Sequence, residues 1–209
     1  MNELTIPRYS QAEECCNCAT HIAGAGLTVY GTYELIRFSQ TSSFVICTLI
    51  YGVSIFTMFL ISALYHAIRD QEVKGFVRKF DHALIYFAIG GTYVPIINAL
   101  SLPRTETLVW YGALGLCALA GAVFSFITLK HKYVTTVVYL IMGWASLLLL
   151  KQLWNGADRI TSYLLIAGGA VYSLGAVFYL IRKSFMHTLF HIFVLGGAVL
   201  HYLAIRTLY

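Results

Sequence analysis

Three histidines in the chain have the spacing of metal ligands. His187 and His191 are four residues apart in "HTLFH", so on a helix they lie about 40° apart on one face, one turn from each other. Two imidazoles at this spacing can bind one metal ion. His66 ends an earlier apolar segment, "SALYH", and would complete a set of three. Three histidines with a fourth position left open are typical of catalytic zinc, which lowers the pKa of its bound water to about 7.

Ser62 and Asp81 accompany these histidines. Ser62 precedes His66 by four residues, so its hydroxyl shares a helix face with the imidazole. Asp81, in "KFDHAL", can accept a proton from water on the metal or, alternatively, orient a ligand through a hydrogen bond. We therefore predict His66, His187 and His191 as metal ligands, with Asp81 and Ser62 as catalytic residues. Zinc is favoured because it suits neutral imidazole, although iron, nickel and copper use the same ligand.

Each of these residues also has a plain structural interpretation. A histidine at a helix end can lie in the membrane interface, and an aspartate near a helix start can stabilise the helix dipole. A catalytic triad of Ser62, His66 and Asp81 is a further alternative, but it leaves His187 and His191 without a role. The metal site is favoured because three separate helices bring these groups to one depth, and ionisable groups inside membrane spans are costly.

The remaining histidines of the later helices carry weaker signals. His201 lies ten residues after His191, about 15 Å further along the helix, and is expected to make a hydrogen bond in the core. His82 points about 100° away from Asp81 on a helix. His131 lies in a predicted loop and needs no special role.

The start of the chain holds further polar and thiol groups. His21 and Glu14 either line the same cavity or serve packing and capping. Cys15, Cys16 and Cys18 lie close together, but C-C-x-C without a partner pair is not a zinc spacing. No role is assigned to the cysteines.

Membrane-spanning helices are the elements that must position these residues. The chain has 209 residues, of which 59% are hydrophobic and 11% charged, whereas a soluble domain has about 25% charged residues. Several apolar runs reach the length of about 20 residues that a span needs. We predict an all-α membrane protein, a single domain over residues 1–209 with a seven-transmembrane helix bundle. The predicted spans are Cys16–Ile36, Phe44–His66, Phe80–Leu100, Leu108–Leu129, Val134–Leu153, Thr161–Ile181 and Met186–Ile205.

The distribution of Lys and Arg predicts an orientation. Nine of the 14 lie in the N-terminal tail, Arg8 included, and in the second, fourth and sixth loops. Because cytoplasmic loops are enriched in Lys and Arg, the N-terminus is expected inside, with residues 1–15 as a short cytoplasmic tail, and the C-terminus outside. We expect no secretory signal peptide. The net charge of +5 reflects this loop bias rather than nucleic-acid binding.

Five stretches of the chain follow one another as known family motifs do. They are "EECCNCATHIAGAGL", "LISALYHAI", "VRKFDHALIYFAIGGTYVP", "YLIMGW" and "HTLFHIFVLGGAVLHYLAI". Together they resemble the hemolysin III family, the bacterial branch of the progestin and adipoQ receptor (PAQR) proteins. The resemblance implies a seven-helix bundle with a cytoplasmic N-terminus and zinc held by His66, His187 and His191. It also implies that Asp81 contacts the zinc-bound water and that Ser62 lies beside the site, while the clustered cysteines depart from the family pattern.

The resemblance implies several activities, namely cytolysis, hormone reception, lipid-amide hydrolysis and control of membrane lipid composition. We favour a zinc-dependent hydrolase of lipid amides or esters, multi-pass in the plasma or inner membrane, that acts in lipid homeostasis on an acyl-chain substrate or ligand. A non-enzymatic sensor or receptor of membrane state with structural zinc is the first alternative. A membrane-damaging protein is the second, although the short loops offer no large amphipathic segment. The sequence leaves the substrate and the oligomeric state open.

Overall fold

Helices make up nearly all of the described chain, which in this computed structural model comprises residues 6–7, 9–100, 102–156 and 159–209. The prediction of an all-α fold is confirmed, since these ranges contain no strand. Arg8, one of the charges used for the orientation, lies outside the described residues. The helices are α1 (Gln11–Phe38), α2 (Ser42–Ala67), α3 (Gln71–Ala99), α4 (Arg104–Ile127), α5 (Lys132–Trp144), a 3₁₀ helix (Ala145–Leu149), α6 (Leu150–Gly156), α7 (Arg159–Leu180) and α8 (Met186–Arg206).

Six helical segments in the described part of the chain are long and apolar enough to cross a membrane. Five of them are α2, α3, α4, α7 and α8, and the sixth is Lys132–Asn155, which runs from α5 into α6. α1 has 28 residues but is not among the six, because acidic and polar side chains interrupt its apolar surface. The predicted count of seven spans therefore remains a prediction.

α1 begins inside the segment that the sequence predicts as a tail. Ser10 accepts a hydrogen bond from the Glu13 N–H at 3.2 Å, and the Glu13 carboxylate accepts one from the Ser10 N–H at 2.9 Å. This reciprocal capping box satisfies backbone donors that a helix start would otherwise leave free. α1 therefore begins at Gln11, which places Glu14 on the helix rather than in the tail.

α3 also begins earlier than the predicted span. The Asp70 carboxylate accepts a hydrogen bond from the Val73 N–H at 2.9 Å and caps a helix that starts at Gln71. Asp81 consequently lies about three turns inside α3. The alternative in which Asp81 only stabilises a helix start is therefore wrong.

The fifth predicted span is not one continuous α-helix. Between Ala145 and Leu149 the backbone tightens into the 3₁₀ helix, and α6 follows. The Tyr93 hydroxyl of α3 shares its proton between the carbonyls of Met142, at 2.6 Å, and Gly143, at 2.8 Å. These carbonyls thus accept a hydrogen bond from α3 at the point where the α-helical pattern ends.

Six helices form a closed ring around a cavity. Each of α1, α2, α3, α5, α7 and α8 packs against the next in that order, and α8 packs back against α1. α4 lies outside the ring against α3 and α5. The cavity inside has a volume of about 180 Å³. The ring brings the start of α1, the end of α2 and the starts of α3 and α8 together at one end.

Two glycines of α1 distinguish a packed position from an open one. A Cβ atom on Gly24 would lie 2.7 Å from the Phe59 ring of α2, whereas one on Gly26 would meet nothing within 4 Å. Phe59 is 1% exposed and has little room to turn. We expect Gly24→Ala to destabilise the protein by about 1–3 kcal/mol and Gly26→Ala to be neutral or stabilising. Thermal unfolding in detergent, followed by circular dichroism, measures both, and equal midpoints would contradict this packing.

Candidate metal centre

The three predicted ligand histidines meet at one end of the ring. One ring nitrogen from each of His66, His187 and His191 lies within 4.8 Å of those of the other two. The Nε2 atoms of His187 and His191 are 3.1 Å apart. Nε2 of His66 is buried and has no hydrogen-bond partner in the described part of the chain. Three converging imidazole nitrogens can hold a metal ion, and this donor set is compatible with zinc.

α1 supplies the partners that orient two of these histidines. Nδ1 of His66 lies 2.6 Å from a carboxylate oxygen of Glu14, and Nδ1 of His191 lies 3.2 Å from the backbone carbonyl of Asn17. The Asn17 side-chain oxygen also accepts a hydrogen bond from Thr188 on α8 at 2.6 Å. With each Nδ1 donating to an oxygen, the inferred tautomer leaves Nε2 with its lone pair toward the cluster.

A buried cation holds Glu14 in turn. The Lys74 ammonium donates to the second carboxylate oxygen of Glu14 at 2.8 Å and to the carbonyl of Ile68 at 3.2 Å. Lys74 is only 4% exposed, and a lysine so deeply buried needs such a partner. The chain of contacts from Lys74 through Glu14 to His66 therefore links α3, α1 and α2.

The turn before α8 is fixed by another acid of α1. Phe185 has a φ of 60°, a left-handed conformation that non-glycine residues rarely adopt. Its N–H donates to the Glu13 carboxylate at 2.7 Å. This bond, together with those from Ser10, holds the pKa of the Glu13 carboxyl below its usual value. The contact ties the start of α1 to the residue two positions before His187.

His21 stacks on the cluster without joining it. The rings of His21 and His191 have centroids 3.6 Å apart and are 13° from parallel. An imidazole lone pair lies in the plane of its ring, so two stacked rings cannot direct lone pairs at one ion. His21 lines the cavity, is 2% exposed and has no hydrogen-bond partner for either nitrogen among the described residues. Of the two alternatives for His21, lining the cavity is the one observed.

Ser62 and Asp81 line the same cavity as His187 and His191. Ser62 is buried and Asp81 is partly exposed. The cavity continues between mainly apolar side chains to His201, 14 residues beyond His187 and so about 21 Å further along α8.

The triad alternative does not form. His66 directs Nδ1 at Glu14. Its other nitrogen forms no hydrogen bond with any described residue, Ser62 included, so it does not activate the Ser62 hydroxyl. Glu14, which the sequence offered as a cavity or capping residue, occupies the position that a triad acid would need.

The remaining histidines lie apart from the cluster. His201 donates from Nε2 to the Leu165 carbonyl at 3.3 Å, which confirms the expected core hydrogen bond. His82 also lines the cavity, although it is expected to point away from Asp81. Its Nδ1 is buried and has no partner among the residues that the structure describes. His131 immediately precedes α5 and makes no side-chain capping bond.

The three N-terminal cysteines are free thiols on α1. Cys15 and Cys16 are exposed, and Cys18 is half-buried. Within the described ranges, the group of side chains close enough to hold a metal ion contains none of them. The structure therefore assigns them no part in the cluster.

Comparison with known proteins decides the family. The model of the family described as haemolysin-III related matches residues 9–202. The chain belongs to this family. Hemolysin-3 from Bacillus cereus is 35% identical over 92% of this chain and 90% of its own length. A hemolysin-3 homolog from Bacillus subtilis (strain 168) is 34% identical over 91% of each chain.

A human relative extends the haemolysin-III match to the PAQR proteins. The monocyte to macrophage differentiation factor of Homo sapiens is 30% identical over 92% of this chain and 83% of its own length. The family predicted from the motifs is therefore confirmed. Six apolar helices and membership of the haemolysin-III-related family together indicate a multi-pass membrane protein.

In this haemolysin-III-related chain, the supporting roles of Glu14, Asn17 and Lys74 were not predicted from the sequence. A signal was present, because Glu14, Asn17 and His21 recur at intervals of three and four residues and so share one face of α1. A polar stripe on a helix that packs among apolar helices indicates a functional face.

Proposed function

We propose that the chain is a zinc-dependent hydrolase of lipid amides or esters that acts in lipid homeostasis of the plasma or inner membrane. One observation carries the proposal: three histidine nitrogens converge at the end of an apolar cavity that also contains Asp81 and Ser62. The apolar walls of the cavity can enclose an acyl chain, and the histidines at one end can hold a Lewis acid. This arrangement fits cleavage of a bond next to an acyl carbonyl.

The donor set fits zinc. His66, His187 and His191 would hold the ion, and Glu14 and Asn17 already set the tautomers of two of them. Zinc bound by three protein ligands polarises a carbonyl and lowers the pKa of water to about 7. The chemistry therefore needs a proton acceptor and a means of holding the acyl group.

The chain's own residues meet both needs. Asp81 accepts the proton of the attacking water and returns it to the leaving amine or alcohol as the acyl C–N or C–O bond breaks. Ser62, buried at the same cavity, donates a hydrogen bond to the acyl oxygen as it gains charge. The apolar walls toward His201 hold the chain of a membrane lipid and exclude bulk water.

We further propose that α1 is the seventh span of one domain covering residues 1–209. Its 28 residues extend about 42 Å, enough for a hydrocarbon core of about 30 Å, and it packs between α2 and α8. The excess of Lys and Arg on the side of the histidines supports a cytoplasmic N-terminus and a C-terminus outside. The metal centre would then lie near the cytoplasmic face.

Lipid turnover by purified protein tests the hydrolase. We expect Asp81→Asn to lower the rate about 100-fold while zinc content stays that of the wild type. Glu72→Gln removes an exposed acid of the same helix and should retain the rate. The measurement is mass spectrometry of synthetic amide and ester lipids in detergent.

His187→Ala extends this test, because it should lose both zinc and turnover. Equal turnover by the wild type, Asp81→Asn and His187→Ala would contradict the hydrolase. Zinc binding without consumption of any lipid would favour the sensor alternative instead.

A further inference from the structure

The end of the cavity beside the histidines carries hydrogen-bond donors that the hydrolysis proposal does not use. These donors are Arg78, Tyr9, Tyr65 and Tyr179, all of which line the cavity. A guanidinium has five N–H donors and no acceptor, and each tyrosine hydroxyl can donate one hydrogen bond. The four side chains come from α2, α3, α7 and the segment before α1, so they surround this end from several directions.

Ring contacts place the three tyrosines around the histidines. Tyr9 stacks on His187 with ring centroids 4.8 Å apart and planes 20° from parallel. The Tyr179 ring lies 6.0 Å from that of His187. The Tyr65 ring lies 4.7 Å from that of His66. The tyrosines therefore line the mouth of the metal centre.

These donors have no acceptors within the described ranges. The ion pairs found there are Arg37–Glu34, His66–Glu14 and Lys74–Glu14, so Arg78 has none. None of the three tyrosine hydroxyls forms a hydrogen bond with another described residue. A charged group directed into an apolar cavity without a partner is costly. Such a group indicates an acceptor supplied by a ligand.

Neither neighbouring carboxylate serves as the acceptor for Arg78. Glu14 is already bonded to His66 and Lys74. Asp81 lies three residues after Arg78 on α3 and forms no ion pair with it. With a zinc ion at the histidines, the two charges of the metal and that of Arg78 exceed the single charge of Asp81, so the site favours an anion.

Depth along α3 separates Arg78 from the acyl-chain part of the cavity. α3 begins at the end of the ring where Lys74 reaches Glu14, and Arg78 lies about 4.5 Å closer to that end than Asp81. The apolar walls extend in the opposite direction, toward His201. A lipid with its acyl chain in the cavity and its carbonyl at the histidines would therefore extend its next chemical group toward Arg78.

We infer that Arg78, Tyr9, Tyr65 and Tyr179 form a head-group subsite for a phosphate, and that the ligand is an acyl lipid with a phosphate-bearing head group. The position of the acyl carbonyl rests on the proposed function. A guanidinium pairs with phosphate through parallel hydrogen bonds, and the hydroxyls donate to the remaining oxygens. A free fatty acid ends at its carboxyl group and would not reach this subsite.

A matched pair of lipids tests the subsite. Oleoyl lysophosphatidic acid and mono-oleoylglycerol share one chain and one ester and differ in the phosphate. We expect the zinc-loaded wild type to bind the phosphate lipid about 10- to 100-fold more tightly, the range for hydrogen bonds to a charged group. Titration calorimetry in uncharged detergent gives both dissociation constants, and mass spectrometry reports how much lipid has been cleaved.

Variants assign the preference to the subsite. Arg78→Gln should remove most of it, Arg78→Lys should retain part, and Tyr179→Phe should reduce it about three-fold. Lys79→Gln is the matched control, because it removes a positive charge from the same turn of α3 without lining the cavity. An equal loss in Lys79→Gln would show general surface attraction and overturn the subsite. If Arg78→Gln does not fold, Tyr179→Phe and the lipid pair on the wild type decide.

The remaining outcomes separate the subsite from the hydrolase. Equal affinity of the wild type for both lipids would overturn the subsite even if both lipids are cleaved. A phosphate preference without cleavage would uphold the subsite and count against the hydrolase. Inorganic phosphate should bind far more weakly than the phosphate lipid, and equal affinity would identify free phosphate as the ligand and overturn the lipid assignment.

Discussion

Replacing His187 with alanine should abolish zinc binding by the purified chain. The wild type is expected to hold about one zinc per chain and the variant less than about one-tenth, because two imidazoles and water do not make a stable protein zinc site. His187 is only partly buried, so its removal is less disruptive to packing than that of His191. Elemental analysis after dialysis against a weak chelator measures the metal content.

Two histidine variants serve as controls for this loss. His21→Phe keeps an aromatic ring stacked on His191 and should retain zinc, because His21 cannot direct a lone pair at the same ion. His201→Gln preserves a donor for the Leu165 carbonyl and should also retain zinc. Loss of zinc in His21→Phe would show that the stacked ring is a ligand, and a wild type without bound metal would refute the metal centre.

Glu14→Gln should weaken both the fold and the metal centre. The change leaves the Lys74 ammonium, 4% exposed, without its counter-ion, and breaking a buried pair from one side costs about 3 kcal/mol. That figure is at the lower end of the usual range because the Glu14 side chain is 20% exposed. The His66 ring also loses its carboxylate partner, which should reduce zinc affinity about 10- to 100-fold. Thermal unfolding and chelator competition measure the two effects.

A double variant separates these two effects. Adding Lys74→Met to Glu14→Gln removes the unpaired charge and should restore most of the stability. It cannot restore the negative charge beside Nδ1 of His66, so the zinc affinity should stay low. Recovery of both properties together would show that Glu14 acts on the metal centre only through the stability of the fold.

The spacing of the histidines explains why their cluster was predictable from the sequence. His187 and His191 lie one helical turn apart, and periodicity alone places them on one face. His66 could be added because it ends a span at the same depth. Each inference needs only local geometry and the alternation of antiparallel helices, and neither depends on how α1 packs.

The supporting residues could not be assigned in this way. A carboxylate at a helix start, such as Glu14, can cap the helix or bond to a residue far away in the sequence. The choice depends on α1 packing against both α2 and α8, which no local pattern contains. The 3₁₀ helix could not be predicted for the same reason. The two carbonyls just before this helix accept a hydrogen bond from Tyr93, which lies about 50 residues earlier in the chain.

The early start of α3 is marked by a local capping residue, which a hydropathy profile does not detect. Hydropathy marks the part of a helix that lies in lipid, so it placed the start at Phe80. The capping side chain of Asp70 lies ten residues earlier, in the charged segment. Reading helix caps separately from hydropathy would have placed Asp81 inside the helix.

The histidine cluster and its supporting contacts join α1 to α8, which lie far apart in the sequence. Glu14 and Asn17 are synthesised before the histidines of α8, which follow only after some 170 further residues. The cluster of three histidines can therefore form only after α8 has closed the ring against α1. A nascent chain that stops before Met186 would present the polar stripe of α1 without its partners on α8.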